Sequence, residues 1–119
     1  MRRVLYLTYD GLLDPLGTSQ VLRPVLELAK RGVPYAVVSL EKAARLADQE
    51  KHRALRHLLR DAGVPWVFAP YLDAGSGRGA RNAATLFELA RQAIRRHDVG
   101  LLHARSHPPT AIAWALKKA

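Results

Sequence analysis

The chain has no cysteine, so it can build neither a disulfide nor a thiolate metal site, and nothing argues for an oxidising compartment. No apolar run approaches the ~20 residues of a membrane-spanning helix. Met1-Arg2-Arg3 followed by Val4-Leu5-Tyr6-Leu7 imitates an export signal, yet Thr8, Tyr9 and Asp10 cut the run below the ~7 to 15 apolar residues such a signal needs. A cytoplasmic start is the expectation. Acidic residues are few, 10 against 19 Lys and Arg, giving a formal charge of +9. Aromatics are also few. Tyr6, Tyr9, Tyr35, Trp66, Phe68, Tyr71, Phe87 and Trp114 are scattered rather than interleaved with arginines, as a single-strand nucleic-acid platform would have them. A basic nucleic-acid or anion-binding module therefore stands as the alternative reading, carried by charge alone.

What is present is enough for one domain. With 119 residues, 49% of them hydrophobic, the chain should bury roughly two thirds of its unfolded surface. Val4 to Thr8 is a short β-favouring run closed by the turn formers Asp10-Gly11 and Asp14-Pro15. Leu22, Val25, Leu26 and Ala29 fall at helical spacing, with Lys30-Arg31 in the last turn and Gly32 as the stop. Thr18 or Ser19 can cap that helix. Pro24 lies inside it, where its ring would meet the Gln20 carbonyl, and predicts a kink or a restart.

Val33 to Leu40 reads as a strand covered on both faces, being almost continuously apolar. The next helix is expected from Glu41 to Ala62, with Leu55, Leu58, Leu59 and Ala62 as its apolar stripe and with Glu41/Arg45 and Glu50/Arg53 able to pair along its surface. Val64 to Ala69 makes a third strand, Tyr71 to Gly79 a loop and Ala80 to His97 a helix. Val99 to Ala104 makes a fourth strand, and Pro108-Pro109 opens a last helix through Ala119. The order βαβαβαβα implies an α/β fold, a Rossmann-like parallel sheet of order 3-2-1-4 with helices on both faces.

In such sheets ligands gather outside the carboxyl ends of the strands, beside the point where strand order reverses. That brings Asp10 to Gln20 opposite His103-Ala104-Arg105-Ser106-His107. Gly17 turns the chain beside a helix N-terminus, where unpaired N–H groups and the helix dipole suit an anion. Arg105 can hold phosphate or carboxylate in fork geometry. Gly75-Ser76-Gly77-Arg78-Gly79-Ala80 fits the G-x-G-x-x-A pattern of dinucleotide sites. However, it follows the third strand rather than the first, and no acidic residue ends the fourth to hold a ribose, so no dinucleotide cofactor is expected. A phosphoacceptor receiver domain is set aside because the third strand ends in Ala69-Pro70 without a carboxylate.

Tyr9-Asp10-Gly11, Asp14-Pro15-Leu16-Gly17-Thr18-Ser19-Gln20-Val21-Leu22, Leu26 and Leu28-Ala29-Lys30-Arg31-Gly32 together resemble the opening of family 4 glycosyltransferases of GT-B fold. Leu101-Leu102-His103-Ala104-Arg105-Ser106 is similar to the fourth strand and following loop of the same N-terminal domain. The resemblance implies an acceptor-binding domain that works with a C-terminal, donor-binding Rossmann-like domain to move a sugar from a nucleotide-sugar to a glycan or lipid-linked acceptor. It implies substrate-binding roles for Asp10, Gly17, Thr18, Ser19, Gln20, His103, Arg105 and Ser106. It puts the catalytic and donor-holding groups beyond Ala119, so these 119 residues are expected to be inactive alone. Basic residues between Lys42 and Arg60 and between Arg78 and Arg96 would suit peripheral contact with a membrane surface. The exposed edge of the fourth strand would suit a homo-oligomer.

Overall fold

The computed structural model describes residues 2–105 and 107–118. Four strands form one parallel sheet: β1 (Arg3–Thr8), β2 (Tyr35–Lys42), β3 (Trp66–Tyr71) and β4 (Val99–Ala104), in the order β3-β2-β1-β4. The fold is a Rossmann-like α/β sheet, as the alternation of elements predicts. Successive strand side chains point to opposite faces, which divides the core in two. Tyr6, Tyr35 and Val37 pack on one face with Val21, Val25, Leu55 and Leu59, while Leu5, Leu7, Val38 and Leu40 pack on the other with Leu86, Ala90 and Ile112.

The helix after β1 starts earlier than expected. It runs as α1 (Pro15–Gly17), a π-helical turn (Thr18–Leu22) and α2 (Arg23–Lys30). Asp14 occupies the N-cap position and Pro15 the first turn, where a missing N–H costs nothing. Thr18 and Ser19 therefore lie inside the helix and do not cap it. The Arg23 N–H reaches back five residues to the Thr18 carbonyl. Pro24 follows this wider turn directly, so the expected kink or restart takes the form of a π turn.

The segment after β2 also departs from the periodicity. Val33 donates to the Leu28 carbonyl and closes α2, so β2 begins at Tyr35 and runs two residues beyond Leu40. Glu41 is thus a strand residue, not the start of a helix. Helix α3 (Ala43–Leu46) is a single turn, and α4 (Gln49–Asp61) starts anew from Asp48, whose side chain accepts from the Lys51 N–H. Leu55 and Leu59 are buried, but Leu58 is 48% exposed and leaves the expected stripe. Arg45 pairs with Asp14 at 3.0 Å rather than with Glu41.

Helix α5 (Arg78–Arg96) begins at Gly77, whose φ of 70° favours glycine. Asn82, 2% exposed, receives the Leu72 N–H and donates to the Leu72 carbonyl, both at 2.9 Å, and so ties the loop after β3 to α5. Helix α6 (His107–Lys118) packs on β4, β1 and α5. No helix among the described residues is long and apolar enough to cross a membrane.

Candidate functional site

The carboxyl ends of the four strands form one edge of the sheet, and the chain builds that edge from its own hydrogen bonds. Thr8 closes β1 fully buried, and its hydroxyl oxygen accepts the Asp10 N–H at 2.9 Å, which fixes the turn that carries Asp10. Beyond β4, the Arg105 N–H continues the ladder by donating to the Leu7 carbonyl at 3.1 Å. The two backbones are therefore in register where their side chains meet. Arg105 Nε donates to Asp10 Oδ2 at 2.7 Å, and Arg105 Nη2 donates to Gln20 Oε1. The hydrogen bond to Asp10 holds Arg105 more firmly in its charged form. Burial pushes the Tyr6 hydroxyl above its ordinary range, and the Arg105 charge beside it pulls the other way.

Six of the eight expected site residues divide into two groups. Asp10, Gln20 and Arg105 come together across the β1/β4 boundary, as the strand order requires. Gly17, Thr18 and Ser19 face inward or along their own helix. Gly17 is buried, and a Cβ on it would lie 1.8 Å from the Gly11 carbonyl oxygen, so this glycine permits backbone to touch backbone. Thr18 Oγ1 donates to the Leu12 carbonyl at 2.9 Å and Ser19 Oγ to that of Leu16 at 3.2 Å. The His103 ring lies on Tyr6, with centroids 4.3 Å apart and planes at 46°. Ser106 lies outside the described residues.

Gly17 lies within the helix, where the Thr18 N–H donates to the Asp14 carbonyl at 2.8 Å, so the anion-facing amides expected beside it are not formed. The loop amides before the helix are partly used by the protein itself. Glu41, 0% exposed, accepts the Leu12 N–H at 2.9 Å on Oε2 and the Leu13 N–H at 3.1 Å on Oε1, and the Ser39 hydroxyl donates to Oε2. The loop's anion is thus a side chain from the next strand. Trp66 Nε1 donates to the Ser39 oxygen at 2.9 Å, which extends this network to β3. Burial pushes the Glu41 carboxyl above its ordinary range, opposed by these three donors and reinforced by the nearby Asp14 charge. Sequence reasoning missed Glu41. The available signal was a lone acid at the carboxyl end of an otherwise apolar strand, hidden because the same residue also suits a helix start.

A hollow of about 240 Å³ opens at this edge, lined by Tyr9, Asp10, Asp14, Lys42 and Tyr71. Two larger hollows lie elsewhere. One, of about 630 Å³, sits between α4 and the amino end of β3 beside Arg53, Arg56, Arg60 and Trp66. The other, of about 570 Å³, follows the outer edge of β4 beside Leu101, Leu102 and Trp114. Size alone does not make either the site, because neither lies where the strand ends converge. Among the described residues no group of three or more His, Asp or Glu side chains is placed to hold a metal ion. No family model, curated protein or solved structure matches this chain.

Proposed function

We propose that this chain is the acceptor-binding domain of a GT-B glycosyltransferase, working with a donor-binding Rossmann-like domain that carries the nucleotide-sugar. The observation that carries this reading is the meeting of Arg105 with Asp10 and Gln20. It joins the two segments in which the family resemblance resides, at the strand ends where a doubly wound sheet binds ligands. In this role Arg105 holds an anionic group of the acceptor, with Asp10 keeping the guanidinium oriented and charged. The sugar donor would approach from the facing domain. The formal charge of +9 supports a lipid-linked acceptor met at an anionic membrane surface.

The outer edge of β4, where Leu101 is 61% exposed, is the surface we propose for the second domain or for another copy of the chain. The test joins this chain to a donor-binding domain and follows transfer from labelled nucleotide-sugars. The joined protein should transfer, Arg105→Ala should lower its rate by about tenfold or more through loss of one charge-assisted contact, and the 119-residue chain should transfer nothing. Turnover by the 119 residues alone would overturn the division of labour. The basic-module reading predicts instead tight oligonucleotide binding that weakens steeply with salt.

A further inference from the structure

The hollow beside Asp10 has a chemistry different from that of Arg105. Its walls come from three adjacent strand ends: Tyr9 and Asp10 follow β1, Lys42 closes β2 and Tyr71 closes β3, with Asp14 at the start of the next helix. Two carboxylates and one ammonium line it. Both carboxylates are held before any ligand arrives, Asp10 by Arg105 at 2.7 Å, and Asp14 by Arg45 at 3.0 Å and by Lys42 at 3.7 Å. Each carboxylate offers about four acceptor positions, so these ion pairs leave capacity for hydroxyl donors. The Tyr9 and Tyr71 rings meet edge to face with centroids 6.1 Å apart, giving the hollow an aromatic side. The Tyr9 hydroxyl is buried without a hydrogen-bond partner among the described residues, and burial and Tyr71 hold its proton on.

Lys42, Arg45 and Arg105 balance the two carboxylates, so the hollow presents carboxylate oxygens as hydrogen-bond acceptors and not an unpaired negative charge. These acceptors favour a molecule rich in O–H or N–H donors. The volume of about 240 Å³ is below the roughly 300 Å³ at which sites for drug-sized ligands begin, which suits one sugar ring and not a nucleotide. We infer that this hollow is a subsite for an uncharged or amino-bearing sugar ring, with ring hydroxyls donating to Asp10 and Asp14 and the C–H face lying on Tyr71. The inference deepens the acceptor-binding reading and rests on it: Arg105 takes the acceptor's anionic group, and the hollow takes a sugar beside that group.

The test maps backbone amide shifts of the ¹⁵N-labelled chain against methyl glycosides of glucose, galactose and mannose, glucosamine, and glucose 1-phosphate. At least one of the four phosphate-free sugars should shift Asp10, Asp14, Lys42 and Tyr71 saturably. Tyr71→Ala should weaken that binding about tenfold, the worth of one good contact. Lys42→Met, at the exposed end of β2, is the second variant should Tyr71→Ala disturb the fold, and it should weaken the same ligand. Glucose 1-phosphate should shift Arg105. If it does so while no phosphate-free sugar shifts the hollow, the subsite is overturned and the acceptor reading stands. Silence at Arg105 and at the hollow overturns both, and sugar shifts clustered at another surface overturn the subsite.

Discussion

Replacing Gly17 by alanine should unfold much of this protein's margin of stability, for a reason that helix propensity alone would predict with the opposite sign. Gly17 is helical, and glycine to alanine in a helix ordinarily stabilises by about 0.5–1 kcal/mol. Here the added Cβ would lie 1.8 Å from the Gly11 carbonyl oxygen and 2.7 Å from its carbon, inside any contact real Cβ atoms make. Neither partner can yield cheaply. Gly11 is itself pressed against Glu41, since a Cβ there would come within 2.6 Å of Oε1. The helix start must retreat, breaking the Asp14 N–H bond to Gly11 and the Thr18 Oγ1 bond to Leu12. Two hydrogen bonds at about 1 kcal/mol each, with about 1–3 kcal/mol of overpacking beneath the buried Val21 and Leu22, come to about 3–5 kcal/mol. In urea that moves the unfolding midpoint down by roughly 2–3 M. Gly79→Ala is the control, because a Cβ there meets nothing within 4 Å, and it should stabilise by about 0.5 kcal/mol. A Gly17→Ala midpoint within experimental error of wild type would refute the reasoning.

Glu41→Gln tests the buried carboxylate through pH. Burial keeps the Glu41 proton on above the ordinary 4.5, so the folded chain binds it more tightly than the unfolded one. Wild-type stability then falls as pH rises through that window, a slope that the glutamine variant lacks. Wild-type stability relative to the variant should be highest below pH 4.5 and fall as pH rises; a relative gain with rising pH would contradict the raised pKa. Asn82→Ala strands both the N–H and the carbonyl of Leu72 and should cost about 2–4 kcal/mol, with faster hydrogen exchange at Leu72 as the local readout. Leu59→Ala, at 1% exposure, should cost about 2–5 kcal/mol. Leu58→Ala, half exposed, should stay within about 1 kcal/mol of wild type by thermal denaturation.

Much of this fold could be read in the chain because its signals are local. Apolar runs at Val4 to Thr8 and Val33 to Leu40, helical spacing from Leu22 to Ala29, and Gly32 as a stop each act over a few residues, and the βα order then limits the sheet topology. That the loop from Asp10 to Gln20 faces the one carrying Arg105 was legible for the same reason, since both follow strand ends in a 3-2-1-4 sheet. Glu41 was not legible. Nothing within several residues of it says that its carboxylate receives amides from residues 12 and 13, a relation that exists only once β1 and β2 lie side by side. Gly17 was recognised as special, but its reason was a contact six residues away through a turn, not an opening toward a ligand. The sequence by itself determined most of the elements, their order and the strand order of the sheet, because propensity and periodicity act along the chain. Only the tertiary structure decided which polar groups at the carboxyl ends of the strands are already taken and which still face outward, because desolvation and hydrogen bonding depend on what packs across space.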